Sequence, residues 1–267
     1  MSQSLKTNDF ATAVQPVVAD TLIITDTGGL VAGPVQVPTG RGEIPAYRAV
    51  PAGITGLPVV LVIQEVFGVH EHIRDVARRI AKLGYYAIAP ELYFRHGDVG
   101  KLPSIEAIRE VVAKVPDEEV LADLDATLAF AAQQGGAGGR VGVTGFCWGG
   151  RITWLYAAHQ PKVKAAVAWY GRLVGDATAR QPRFPVDVLA ELKAPVLGLY
   201  GGEDQGIPLD TVQRVQTELE RLGSKSTIHV YPDAPHAFYA DYRPSYRKQP
   251  AEDGFRRLQS WFKDHGL

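Results

Sequence analysis

Short apolar runs alternate along this chain with segments of helical periodicity. Pro58-Val59-Val60-Leu61-Val62-Ile63 is a continuous, largely β-branched run, the pattern of a central parallel strand buried on both faces. Residues 43–50 alternate weakly, as a half-exposed strand does. Further strands are predicted at 31–37, 85–89, 140–144, 163–169, 195–200 and 226–231, with an edge strand at 21–25. Helices are predicted at 73–83, 105–114, 118–133, 151–158, 209–222 and 252–265, with Gly135-Gly136-Ala137-Gly138-Gly139 breaking the helix at 118–133 before the strand at 140. Buried strands alternating with helices imply an α/β fold, a mostly parallel sheet of about eight strands with helices on both faces. No repeat or low-complexity linker divides the chain. Residues 1–267 therefore read as one domain, with an N-terminal arm (1–40) packed on the sheet edge and a catalytic core (41–267).

Within that alternation, Gly145-Phe146-Cys147-Trp148-Gly149 sits between a predicted strand and a predicted helix. This is the pattern of a nucleophile elbow, a strained turn that lifts one side chain above the end of a sheet. Its apex, Cys147, is the sole cysteine. A lone cysteine is otherwise most often an inert core residue; the glycine-flanked apex favours a nucleophile.

Active groups of open α/β sheets gather at the carboxyl ends of the strands. Those ends carry Gln64-Glu65-Val66, then Cys147, then Glu203-Asp204, then Asp233-Ala234-Pro235-His236. Nucleophile, acid, histidine is the chain order of an α/β-hydrolase triad. The thiolate is the attacking form of cysteine. An imidazole takes a proton near neutral pH and returns it to a leaving group. A buried carboxylate fixes the imidazole tautomer; on the residues alone, Glu203 and Asp204 both remain candidates. The backbone N–H groups of Val66 and Trp148 are placed to bind a developing oxyanion. Glu65, next to an apolar strand, would face Cys147, where a carboxylate disfavours the thiolate.

Composition narrows the function classes. Of 267 residues, 46% are apolar and 21% charged, and the net charge is −1. Bulk electrostatic capture of nucleic acid or an anionic membrane is thus not expected. No apolar run approaches the ~20 residues of a membrane span. The first ten residues show no basic-then-apolar signal segment, and a single cysteine forms no internal disulfide, so a cytoplasmic location is expected. His70-Glu71-His72 reads as a helix start rather than a metal site, because neither HExxH nor paired Cys/His spacing occurs. Trp154, Tyr156 and Trp169 read as core.

Together these blocks, with Pro90-Glu91-Leu92-Tyr93-Phe94-Arg95, Tyr170-Gly171 and His236-Ala237-Phe238, resemble the dienelactone hydrolase (carboxymethylenebutenolidase) family from about residue 43 to the C-terminus. The resemblance implies a cytosolic, cofactor-free α/β-hydrolase that opens a carboxylate-bearing lactone or ester. Cys147 would be nucleophile, His236 base and acid, and Asp204, rather than Glu203, the orienting acid. Glu65 would hold or deprotonate the thiol, so that the thiolate forms only with substrate bound. Arg95 would pair with the substrate carboxylate and Tyr170 would line the pocket. The chain departs from the pattern where a second arginine follows the histidine: Ala240 stands there, with Arg243 and Arg247 nearest. Its N-terminal extension and its 171–185 loop also look longer. Rival readings are a thioesterase, acyltransferase or general carboxylesterase on the same fold, and a class I glutaminase, whose glutamate two residues beyond the histidine is replaced here by Phe238. A non-catalytic receptor would be expected to lack a triad residue, and none is missing.

Overall fold

The computed structural model describes residues 9–267. Strands β1 (Leu30–Thr39), β2 (Gly42–Pro51), β3 (Leu57–Ile63), β4 (Tyr86–Pro90), β5 (Gly136–Phe146), β6 (Val163–Trp169), β7 (Val196–Gly201) and β8 (Thr227–Tyr231) form one sheet in the order β1-β2-β4-β3-β5-β6-β7-β8. The β1–β2 and β2–β4 pairings are antiparallel. The others are parallel. Helices α1 (Glu71–Lys82), α2 (Ile105–Val112), α3 (Asp117–Gln133), α4 (Trp148–His159), α5 (Leu209–Arg221) and α6 (Lys248–Asp264) connect and cover the strands. Central β3 is buried from Pro58 to Ile63, as a run with no polar alternation requires.

Local chemistry accounts for the helix starts. The Ser104 hydroxyl caps α2 by accepting from Ala107 N at 3.3 Å. Asp117, Glu118 and Glu119 occupy the first turn of α3, where negative charge complements the helix dipole.

The pattern of apolar positions misses two local features. The glycine-rich stretch ends α3 at Gln133, as expected, but 136–139 also opens β5, paired with Leu57 and Pro58 across a bulge. Packing requires glycine there: a Cβ on Gly136 would lie 2.6 Å from the Val59 side chain and 2.9 Å from Ala131 O. The edge strand expected at 21–25 does not form. Ala19–Thr21 is a 3-10 turn, and the backbone beyond it bonds to carboxylates instead of a strand. Ile23 N donates to Asp241 Oδ2 at 3.3 Å and Thr25 N to Asp75 Oδ1 at 2.6 Å. The N-terminal arm thus divides. Residues 30–39 form the edge strand β1, while 9–25 run to α1 and to the loop after β8. Residues 1–8 of the arm lie outside the described residues.

Candidate active site

Parallel β5 delivers its chain straight into the elbow. Cys147 has φ 55° and ψ −114°, a left-handed conformation that costs a non-glycine residue about 1–3 kcal/mol. The turn is held by Cys147 N donating to Trp169 O at 3.0 Å and Gly150 N to Cys147 O at 3.0 Å. The flanking glycines are obligatory. A Cβ on Gly145 would sit 2.3 Å from Gly149 O, and one on Gly149 2.4 Å from Gln64 O. Sequence thus dictates the apex: only glycine lets β5, α4 and the end of β3 close this tightly around a half-buried Cys147.

The loops after β7 and β8 bring the acid and the histidine to this apex. Asp204, buried, accepts from Gly206 N at 2.8 Å and Ile207 N at 3.1 Å through Oδ1. Its Oδ2 lies 2.6 Å from His236 Nδ1. Glu203, the other acid at this strand end, makes no such bond to His236. The other imidazole nitrogen, Nε2, is left for the Cys147 sulfur, which lines the same cleft. Burial alone would lower the His236 pKa. The neighbouring Cys147 sulfur and the hydrogen bond with Asp204 outweigh it and raise the pKa to about 10. A side chain 35% exposed feels this less than a sealed one, and the direction remains upward.

These groups stand at the foot of a cleft of about 830 Å³ lined by Val66, Trp148, Tyr170, Phe184 and Ile207. The backbone N–H groups of Val66 and Trp148 have no hydrogen-bond partner among the described residues. Tyr170, at φ 37°, packs edge-on against the His236 ring at 5.2 Å between centroids. A second cavity, about 480 Å³, lies near His70, Glu91 and the 97–101 loop; it holds neither the thiol nor His236. No group of His, Cys, Asp and Glu among the described residues is arranged to hold a metal.

Glu65 is buried beside the elbow, but its carboxylate engages other groups. Oε2 accepts from the Tyr242 hydroxyl at 2.7 Å and lies 3.4 Å from His70 Nε2, while Oε1 has no hydrogen-bond partner. Burial pushes its pKa up; the His70 contact and the charges of His72, His70 and Arg243 overcome this and lower it to about 2. Burial also pushes His70 down, while Arg243 supplies permanent positive charge.

Arg95 is not brought to the cleft. Its guanidinium forks onto Asp123 at 2.6 and 3.2 Å and donates to Thr39 Oγ1 at 2.6 Å. A pair with a carboxylate only 3% exposed is a structural clamp between the 91–96 loop and α3. Arg95→Ala should therefore lower Tm by about 5–10 °C by stranding Asp123, without changing the ratio of rates on charged and neutral esters. Differential scanning calorimetry and paired assays check both halves.

The arginines that do line the cleft are Arg109, Arg151 and Arg172. Arg151 is committed to Asp117 at 2.7 and 2.6 Å. Neither Arg172 nor Arg109 makes an ion pair among the described residues. Arg172 was findable from sequence, two residues beyond Tyr170 at a strand's carboxyl end. Arg109 was not, because nothing local shows that α2 folds over the cleft. Arg243 stacks over the Phe67 ring at 5.5 Å and Arg247 bonds to nearby carbonyls; neither lines the cleft.

Sheet order, elbow and the placement of the acid and histidine loops define an α/β-hydrolase. Residues 44–266 match the dienelactone hydrolase family. The chain belongs to that family and is a hydrolase of its type. A Methylorubrum extorquens protein named "Putative carboxymethylenebutenolidase" is 62% identical over 260 residues, covering 97% of this chain and 89% of the relative. An Escherichia coli (strain K12) protein of the same name is 53% identical over 259 residues, covering 96% and 95%. A crystal structure described as a "Putative Dienelactone Hydrolase" from Klebsiella pneumoniae superposes with TM-score 0.86 at 53% identity, over 88% of this chain and 98% of that one. Among the described residues no helix is long and apolar enough to cross a membrane.

Proposed function

We propose that the chain hydrolyses a carboxylate-bearing lactone or ester through a covalent thioester on Cys147. The observation that carries this reading is the convergence of Cys147 and the hydrogen-bonded Asp204–His236 pair in one cleft. The sulfur attacks the ester carbonyl while the oxyanion forms against the Val66 and Trp148 N–H groups. His236, held protonated by its neighbours, gives its proton to the departing alkoxide. Water then adds to the thioester with His236 taking its proton, and the thiolate leaves as the acid is released. In a lactone the alkoxide and the acyl group belong to one molecule, so the product is a single hydroxy acid, or its keto tautomer where the leaving oxygen is an enol. The names of the relatives support a lactone of the carboxymethylenebutenolide kind.

The positive charge needed by a substrate carboxylate comes from Arg172 and Arg109 on the cleft wall. Arg172→Ala is expected to lower kcat/KM for a carboxylate-bearing dienelactone about tenfold, the worth of one charge-assisted hydrogen bond at a partly screened site. A neutral aryl ester should change less than twofold. Arg109→Ala should act in the same direction and more weakly. Equal losses on both substrates would show that these arginines do not read charge. Failure of the wild type to hydrolyse any lactone or ester would remove the functional reading itself.

A further inference from the structure

We propose that the N-terminal arm is a positioning element of the active site: through Tyr242 it holds the Glu65 carboxylate turned away from Cys147. The inference rests on the reading of Cys147 as nucleophile and gives the arm a role in that site.

The arm grips the segment that carries Tyr242 at several points. Val18 N donates to Tyr242 O at 3.0 Å, the Thr21 hydroxyl donates to Asp241 O, and Ile23 N reaches the Asp241 carboxylate. Phe10 packs its ring 5.5 Å from Tyr242 and 5.8 Å from His70. From the other side, His72 Nδ1 meets Asp241 Oδ1 at 3.0 Å and Arg79 pairs with the same carboxylate. With its backbone clamped on both sides, Tyr242 delivers its hydroxyl to Glu65 Oε2 at 2.7 Å in a fully buried site.

The carboxylate has an alternative. Its Oε1 is buried with no hydrogen-bond partner, a deficit that favours any geometry gaining a donor. The pairing of Ile63 with Gly145 places Glu65 and Cys147 each two residues beyond a matched position on adjacent strands, which run about 4.8 Å apart. Tyr170 feels the charges of both. A carboxylate released from Tyr242 can turn across this gap, accept the thiol proton in a hydrogen bond and oppose thiolate formation by like-charge repulsion. The other groups facing Glu65 are His70, His72 and Arg243.

Cys147 is the sole cysteine, so alkylation reports this site alone. The experiment measures iodoacetamide labelling of the full chain against pH for wild type, Tyr242→Phe, Glu65→Gln and the double variant. Phe10→Ala is run in both the wild-type and the Glu65→Gln backgrounds as an arm variant that leaves the hydroxyl in place. Comparison at matched pH holds the other groups facing Glu65 constant between variants. Tyr242→Phe is expected to slow labelling at neutral pH about tenfold, an upward shift of about one unit in the labelling profile, and Phe10→Ala to slow it less. In the Glu65→Gln background both effects should fall below twofold. Slowing of the same size in both backgrounds, or none with Glu65 present, overturns the proposal, because a merely structural role does not depend on the Glu65 charge. Circular dichroism checks folding of each variant; if Tyr242→Phe does not fold, the Phe10→Ala pair decides on the same criterion. The functional reading fails separately, if Cys147→Ala hydrolyses substrate while the labelling cycle still behaves as stated.

Discussion

Cys147→Ala is expected to lose esterase turnover by about 10⁴-fold or more while keeping its fold. A group that forms the covalent bond cannot be replaced by positioning alone, so what survives is the contribution of the oxyanion donors and of binding. The fold should persist because alanine keeps the Cβ at φ 55° and adds no atom to a turn already closed by Gly145 and Gly149. Far-UV circular dichroism and an unchanged Tm establish the second half. Stopped turnovers of a slow ester, followed by intact-mass measurement, should show wild-type protein heavier by one acyl group and the alanine variant unmodified. Wild-type rates from the alanine variant would remove Cys147 from the chemistry.

Substitutions in the orienting pair carry the next largest effect. His236→Ala should lower kcat by about 10³-fold or more, since no other histidine lines the cleft with the thiol. Asp204→Asn should cost less, yet well over tenfold. The amide can satisfy Gly206 N and Ile207 N or His236 Nδ1, but the carboxylate serves all three at once. The variant also has a sign that pH profiles read. The Asp204 hydrogen bond and charge help to raise the His236 pKa. Removing that charge lowers the pKa, so the imidazolium is lost at lower pH and the alkaline limb of kcat/KM moves down. Glu203→Gln should change the rate less than twofold. A larger loss at Glu203 than at Asp204, or an alkaline limb that moves up in Asp204→Asn, would contradict the assignment.

Much of this architecture was legible in the residues. The β-branched run at 58–63 and the glycine-flanked turn at 145–149 each allow little else, one because an unbroken apolar strand must be covered on both faces, the other because only glycine survives the contacts around the apex. Chain order then placed an acid and a histidine at later strand ends. The misreadings have a common cause. The strand expected at 21–25 has the right composition, but its hydrogen bonds go to Asp75 and Asp241, residues far along the chain. Arg95 occupies a motif position that the resemblance ties to substrate, yet Asp123 on α3 captures it. Local pattern says which groups a segment offers; it does not say which distant partner reaches them first.

The sequence accordingly settles the elements, the parallel sheet and the elbow, since each follows from short-range sterics and from the burial of apolar runs. Tertiary packing selects Asp204 over Glu203, sends Glu65 to Tyr242 and turns Arg172 and Arg109 rather than Arg95 toward the cleft. Those outcomes depend on competition among charges and hydrogen-bonding groups from separate elements, and that competition is resolved only once the loops at the carboxyl ends of the strands have closed around one another.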